Sequence, residues 1–300
     1  MSATTAGAGA VYDRGYRPYE GPRGGRRAAT LALYRASIRR ALGLRRSWRQ
    51  KVAPFVLLGI VTIPAVVNVG IGYVTRDRIG NPIEIITYRD YVGVSSTLLL
   101  FVALTAPDIV CPDRRQRVLP LLFARPLTGA DYVVAKVGAI FTILFAFSFL
   151  PQVLLFVGQT LVSDSALDYV RDNAEVTWKV PLAVAVLAAY YAVVGVAVAS
   201  LASRRIVAGA SFIGLFLVSS ITSGILVGDF ESTRQGSAAA LVNVLGLPLY
   251  LRDLVFLGHI DPESPLVGVA NGGLLAVVVY VAVAAAAAAV LLYRYRWTER

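Results

Sequence analysis

Six separated runs of apolar residues, each roughly 20 residues or longer, constrain this chain more than any other feature, because about 20 residues of α-helix cross the apolar core of a bilayer. The runs fall at 52–74, 91–110, 132–162, 181–201, 206–228 and 267–293. Helix is the required conformation, since an isolated sheet would leave backbone groups unpaired in lipid. The pattern predicts an all-α polytopic membrane protein with six transmembrane helices. Composition agrees. Of the 300 residues, 57% are hydrophobic and 16% charged, whereas a soluble domain sits near about 45–50% and about 25%. That balance argues against a water-soluble enzyme, and the single cysteine, Cys111, rules out a disulfide scaffold. Pro54, Pro64 and Pro151 lie inside spans, where neighbouring helices or polar side chains can satisfy the carbonyls they free.

The formal net charge of +11 is read through its positions. With the N-terminus inside, 22 of the 29 basic residues fall on the inner side and seven outside. The 203–205 connection is purely basic, whereas 163–179 carries Asp164, Asp168, Asp172 and Glu175. Positive-inside asymmetry thus predicts both termini in the cytoplasm and a multi-pass protein of the cell (plasma or inner) membrane. No short apolar core with a cleavage site precedes residue 52, so no signal peptide is expected. The basic excess comes with no nucleic-acid-binding motif, so the lipid bilayer is the expected partner of this charge and nucleic acid is not.

Residues 1–27, rich in Gly, Ala, Arg and Pro, read as a flexible arm apart from a Tyr-bearing stretch. Residues 28–51 read as an amphipathic interfacial helix, with Leu31, Tyr34, Ile38, Ala41 and Leu42 on one side and Arg35, Arg39, Arg40 and Arg46 flanking them. A seventh apolar stretch, 238–257, is interrupted by Pro248, Arg252 and Asp253. Counting it as a span would place Arg294, Arg296 and Arg300 outside, so it reads instead as a short outer-face helix or a re-entrant pair before span six. Residues 294–300 form a cytoplasmic tail.

Spans two and three are joined by a basic, partly apolar segment from Cys111 to Lys136. Asp113 can cap a short helix whose Leu119, Leu121, Leu122 and Phe123 have no lipid to face. Pro126 ends that helix, and Thr128 with Asp131 three residues later makes a variant capping box for span three. Such a helix is a docking device that would pass a partner's movement to both spans.

The run Asp113-Arg114-Arg115, Leu119, Leu121-Leu122, Arg125-Pro126-Leu127-Thr128 and Tyr132 to Lys136 resembles the coupling region of ABC-2 type transporter permeases. Six spans, an N-terminal amphipathic helix and an excursion before the last span also resemble that family. Two departures stand out: Arg117-Val118 occupies the place of the family's Gly-Thr, and Pro120 lies inside the coupling helix. The resemblance implies the membrane-spanning subunit of an ATP-driven exporter, worked by two copies of a separate ATP-binding subunit that hold ATP and Mg, with a second permease copy as partner. Coupling would fall to Asp113, Arg114, Arg115, Leu119, Leu121, Leu122, Arg125, Pro126 and Thr128. This chain itself offers no P-loop, since Lys51, Lys136 and Lys179 are each followed by Val where Ser or Thr is needed. No cofactor is expected in it, and it is not expected to be an enzyme.

Other chemistry is thin. His259, the lone histidine, could be drawn into a triad with Asp253 or Asp261, but a solvated loop histidine is the plainer reading. One Cys, one His and one Met give no metal-ligand ladder. Asp108, near the end of span two, is expected to pair with Arg114 or Arg205. Asn68, Gln152, Gln159, Ser219, Ser220, Thr222 and Ser223 lie at depth, as pathway-lining groups or as helix–helix hydrogen bonds. Without a mid-span acid or base no proton relay is evident. A gradient-driven secondary transporter and a non-transporting membrane scaffold remain the alternatives.

Overall fold

The computed structural model of the chain describes residues 21, 24–44, 48–79, 86–92, 95–124, 126–229 and 238–296, and all regular structure among them is helical. Among the described residues six helices are long and apolar enough to cross a membrane, making this a multi-pass membrane protein. They are α2 (Trp48–Ile79), α4 (Ser95–Arg115, preceded by the short α3, Tyr88–Val92), α6 (Gly129–Val162), α8 (Val176–Leu201), α9 (Arg205–Asp229) and α11 (Gly272–Arg296). Helix α1 (Arg26–Ala41) precedes them, α5 (Leu119–Phe123) joins α4 to α6, α7 (Ala166–Asp172) joins α6 to α8, and α10 (Leu247–Leu257) stands before α11. The N-terminal 1–20 and Arg125 lie outside the described residues.

Helices α4 and α8 form the centre of the bundle, while α2, α9 and α11 bury least of their surface. Close approach at the centre depends on glycine. A Cβ on Gly195 would stand 2.2 Å from Val102 Cγ1, and one on Gly209 would stand 2.8 Å from the carbonyl oxygen of Ala103. Pro107, four residues on from Ala103, has no N–H to offer that carbonyl, so α9 can pack directly over it. Cys111 is also buried at this junction, with its Sγ 3.7 Å from the carbonyls of Ala199 and Ala202.

The bundle has two chemically distinct ends. At the arginine-rich end, Tyr295 of α11 lies against Tyr132 of α6 (ring centroids 4.7 Å). At the opposite end the Tyr88 and Tyr169 hydroxyls share a hydrogen bond (2.7 Å), Lys179 pairs with Glu175 and donates to the Phe256 carbonyl (3.1 Å), and Arg89 holds Asp261 (2.7 Å). Burial pushes the Asp253 carboxyl of α10 above the usual range even with Arg252 2.6 Å away. Asp261, in the loop beyond, is held below it by the Glu263 N–H and by Arg89.

Two expectations from sequence are corrected. Residues 28–51 are not one helix: α1 stops at Ala41, and Gly43 (φ 66°) closes it with the paired bonds Leu44 N–H to Arg39 and Gly43 N–H to Arg40 of a left-handed C-terminal cap. Nor does Leu31 share the packed side of α1 with Tyr34, Ile38, Ala41 and Leu42. The packed seam of the helix runs through Leu33, Tyr34, Ser37, Ile38 and Ala41 against α6 and α4, and Leu31 is 45% exposed. The cause is α6, whose 34 residues extend roughly 50 Å, some 20 Å beyond a bilayer's apolar core. Helix α1 packs along its charged end.

The 238–257 stretch does not cross the bundle. Its 3₁₀ turn (Ala240–Val242) and following residues enter between the spans, where Tyr190 and Tyr191, midway along α8, donate to the carbonyls of Val244 (3.0 Å) and Leu245 (3.5 Å). Asn243 Oδ1 accepts from the N–H groups of Leu245 and Gly246, and Ser223 donates to the Ala239 carbonyl. Irregular backbone at this depth persists because protein groups satisfy it. Helix α10 then returns to the opposite end and stops at Gly258 (φ 75°). The last span accordingly begins at Gly272, not at residue 267.

Candidate functional site: the joint between the second and third spans

The segment between α4 and α6 is built on a buried carboxylate. Asp113 does not cap the short helix as the sequence suggests; α4 continues through it to Arg115, and Val118 takes the cap position of α5 with no side-chain bond. Only 4% of Asp113 is exposed. Its Oδ2 accepts from Lys136 Nζ (2.6 Å) and the Tyr132 hydroxyl (3.0 Å), and its Oδ1 from Arg40 (2.7 Å). Lys136, 2% exposed, also donates to the Ile109 carbonyl (2.8 Å). A buried ion pair is tolerated when further hydrogen bonds complete both partners, and here they do. The cluster bolts α1, α4 and α6 together at one point.

Beyond Asp113 the chain turns sharply. Val118 N–H bonds the Asp113 carbonyl and Arg117 N–H that of Arg114, with Arg117 in the left-handed region (φ 51°). Arg114 reaches across to the end of α8, donating to the carbonyls of Ser200 (2.5 Å) and Ala202 (3.1 Å). It therefore does not pair with Asp108, which instead meets Arg205 (2.7 Å). Arg115 is exposed.

Helix α5 carries Pro120 at its second residue, where no N–H is needed. Its apolar side chains divide into anchors and one free group. Leu119 is buried, Leu122 is half-buried, and Phe123 meets the Tyr132 ring edge-on (6.2 Å). Only Leu121 stands out, at 69% exposed, beside exposed Pro120 and Pro126. The expectation that all four side chains are exposed is thus corrected: three fix the helix and one is offered. Thr128 and Asp131 form a complete capping box at the start of α6, and Arg26 clasps both, 2.6 Å from Asp131 Oδ2 and 3.0 Å from Thr128 Oγ1. Helix α1 therefore straps the joint from Arg26 to Arg40.

The polar groups at depth fall into two sets, one where α2 meets α6 and the 86–88 segment and one on α9. Asn68 Nδ2 bonds the Ile86 carbonyl (3.1 Å) and Gln152 Nε2 that of Tyr88 (3.3 Å), while Gln159 lies against Gly72. Ser219 bonds within α9, Ser220 is half-buried and Thr222 is exposed on another helix. His259 is exposed, with Nδ1 beside the Ile260 carbonyl, and is not brought to Asp253 or Asp261. Among the described residues no three His, Cys, Asp or Glu side chains could hold a metal ion.

Sequence reasoning missed Arg26, Arg40 and the weight carried by Lys136. A lysine between Ala135 and Val137 in an apolar run needs an acidic partner, and that signal was available. Arg40 lies 73 positions from Asp113 and left no trace. No protein-family model matches this chain, and no curated protein or solved structure matches it.

Proposed function

We propose that this chain is the permease subunit of an ABC transporter of the ABC-2 type. In this reading α5 is the cytoplasmic coupling helix, α1 the cytoplasmic strap that braces it, and the arginine-rich end faces the cytoplasm. The 238–246 segment is re-entrant from the outer side. Two copies of a separate ATPase bind ATP and Mg, and a second permease copy completes the pathway for an exported substrate. The observation that supports this reading is the joint itself. One exposed leucine, Leu121, stands on a short helix whose neighbours are locked to α4 and α6 through Asp113, Lys136 and the Thr128 cap. A partner gripping Leu121 moves both spans, because the buried ion pair leaves little slack between them.

Arg117 adds support. It adopts the left-handed conformation that favours glycine, and glycine is what the family carries there. Affinity purification of the tagged chain from its native membrane tests the proposal. A stoichiometric companion with a Walker A motif, lost with Leu121→Glu and retained with the control Val134→Glu on an exposed part of α6, is the expected result. Recovery without an ATPase under gentle extraction overturns it.

A further inference from the structure

A cavity of about 1230 Å³ opens at the arginine-rich end, between the last turn of α4 and the connection from α8 to α9. Arg114, Arg115, Arg204 and Arg205 line it together with Ile206 and Val207, and among the described residues no carboxylate does. Two of the four guanidiniums are committed, Arg205 to Asp108 and Arg114 to the α8 carbonyls. Arg115 and Arg204 are exposed and make no ion pair among the described residues. The start of α9 opens onto the same space. Its first helical acceptor, the Arg204 carbonyl, is taken by Ala208 N–H (3.0 Å), so the N–H groups of Arg205, Ile206 and Val207 have no helical acceptor and add positive potential. With Arg205 balanced by Asp108, the remaining guanidiniums repel each other in one concavity until an anion enters.

The apolar wall identifies the source of that anion. Ile206 is 87% exposed and Val207 50%, and the outward face of α9 continues through Leu217, Val218 and Ile221, each more than half exposed. That face belongs to a membrane-crossing helix and meets the acyl chains of the bilayer, so a phosphate that carries such chains can set its head among the arginines while its chains run along α9.

We propose that this cavity binds the phosphate of an anionic phospholipid, with Arg115 and Arg204 as its principal ligands and the α9 N-terminus behind them. The inference goes beyond the transporter reading and does not rest on it, since the site is complete in this chain alone.

Native mass spectrometry of the full chain in mild detergent, with dioleoyl phosphatidylglycerol or dioleoyl phosphatidylcholine added, tests it without an ATPase present. The expected result is selective retention of phosphatidylglycerol, weakened about fivefold for each arginine removed in Arg115→Gln and Arg204→Gln. The double variant Arg35→Gln/Arg39→Gln removes the same charge from the exposed face of α1 and is expected to retain the lipid. If the combined variant Arg115→Gln/Arg204→Gln does not fold, as judged by its elution profile, the two single variants carry the test. Equal retention of both lipids overturns the proposal, as does equal weakening in the α1 variant, which would mean diffuse attraction. Displacement by inorganic phosphate at matching concentration overturns the lipid assignment in favour of a soluble anion.

Discussion

Arg117 holds a backbone conformation that an L-residue with a Cβ resists. Its Arg117→Gly variant is expected to raise the stability of the purified chain by about 1 kcal/mol, read as a higher midpoint of thermal unfolding in detergent; an unchanged or lower midpoint would mean the arginine side chain contributes there. Asp113 and Lys136 behave oppositely. Removing either partner leaves a buried charge, so Asp113→Asn or Lys136→Met should each lose about 3–5 kcal/mol. The double variant is expected to lose less than the sum, because the two losses are one interaction counted twice. Additive losses in a thermal-unfolding cycle would show that the pair is not coupled.

Among the elements, the α4–α9 contact rests on the approach of Gly209 to the Ala103 carbonyl. Backbone cannot yield as a side-chain tip can, so Gly209→Ala is expected to lose about 1–3 kcal/mol by overpacking, whereas Gly214→Ala on the same helix, with open space around it, should not. The opposite end makes a pH prediction. Asp261 has a carboxyl held below its unfolded value by the Glu263 N–H and Arg89. Its stabilising contribution is present above the unfolded value and vanishes as pH falls through the folded one. The destabilisation of Asp261→Asn at neutral pH should therefore shrink in acid; an undiminished difference would locate its cause elsewhere. Helix existence was legible for all six spans, because length and apolarity fix it. Packing was not. On α1 the spacing placed Tyr34, Ile38, Ala41 and Leu42 correctly on the packed side, but not Leu31, and it left out Ser37, which hydropathy places outside and whose hydroxyl the Leu33 carbonyl satisfies. The Thr128–Asp131 box was readable because capping is local. The Asp113 cluster was not, because the partners of this α4 carboxylate come from two other helices, α1 and α6.

For the whole molecule, six crossings in the proposed orientation would put residues 24 and 296 together on the cytoplasmic side. Reporter fusions at residue 24 and residue 296 should therefore give the same cytoplasmic signal, and an insertion at Asp168 the opposite one; unlike signals at the two ends would require an odd number of spans. The junction where α4 meets α8 and α9 carries one more consequence. Its sulfur, the chain's single thiol, is 1% exposed. In the folded protein a water-soluble maleimide finds nothing to alkylate. A cysteine introduced in place of Leu121 would be the molecule's one reactive sulfur, and the rate of its alkylation would read directly how often that residue is covered.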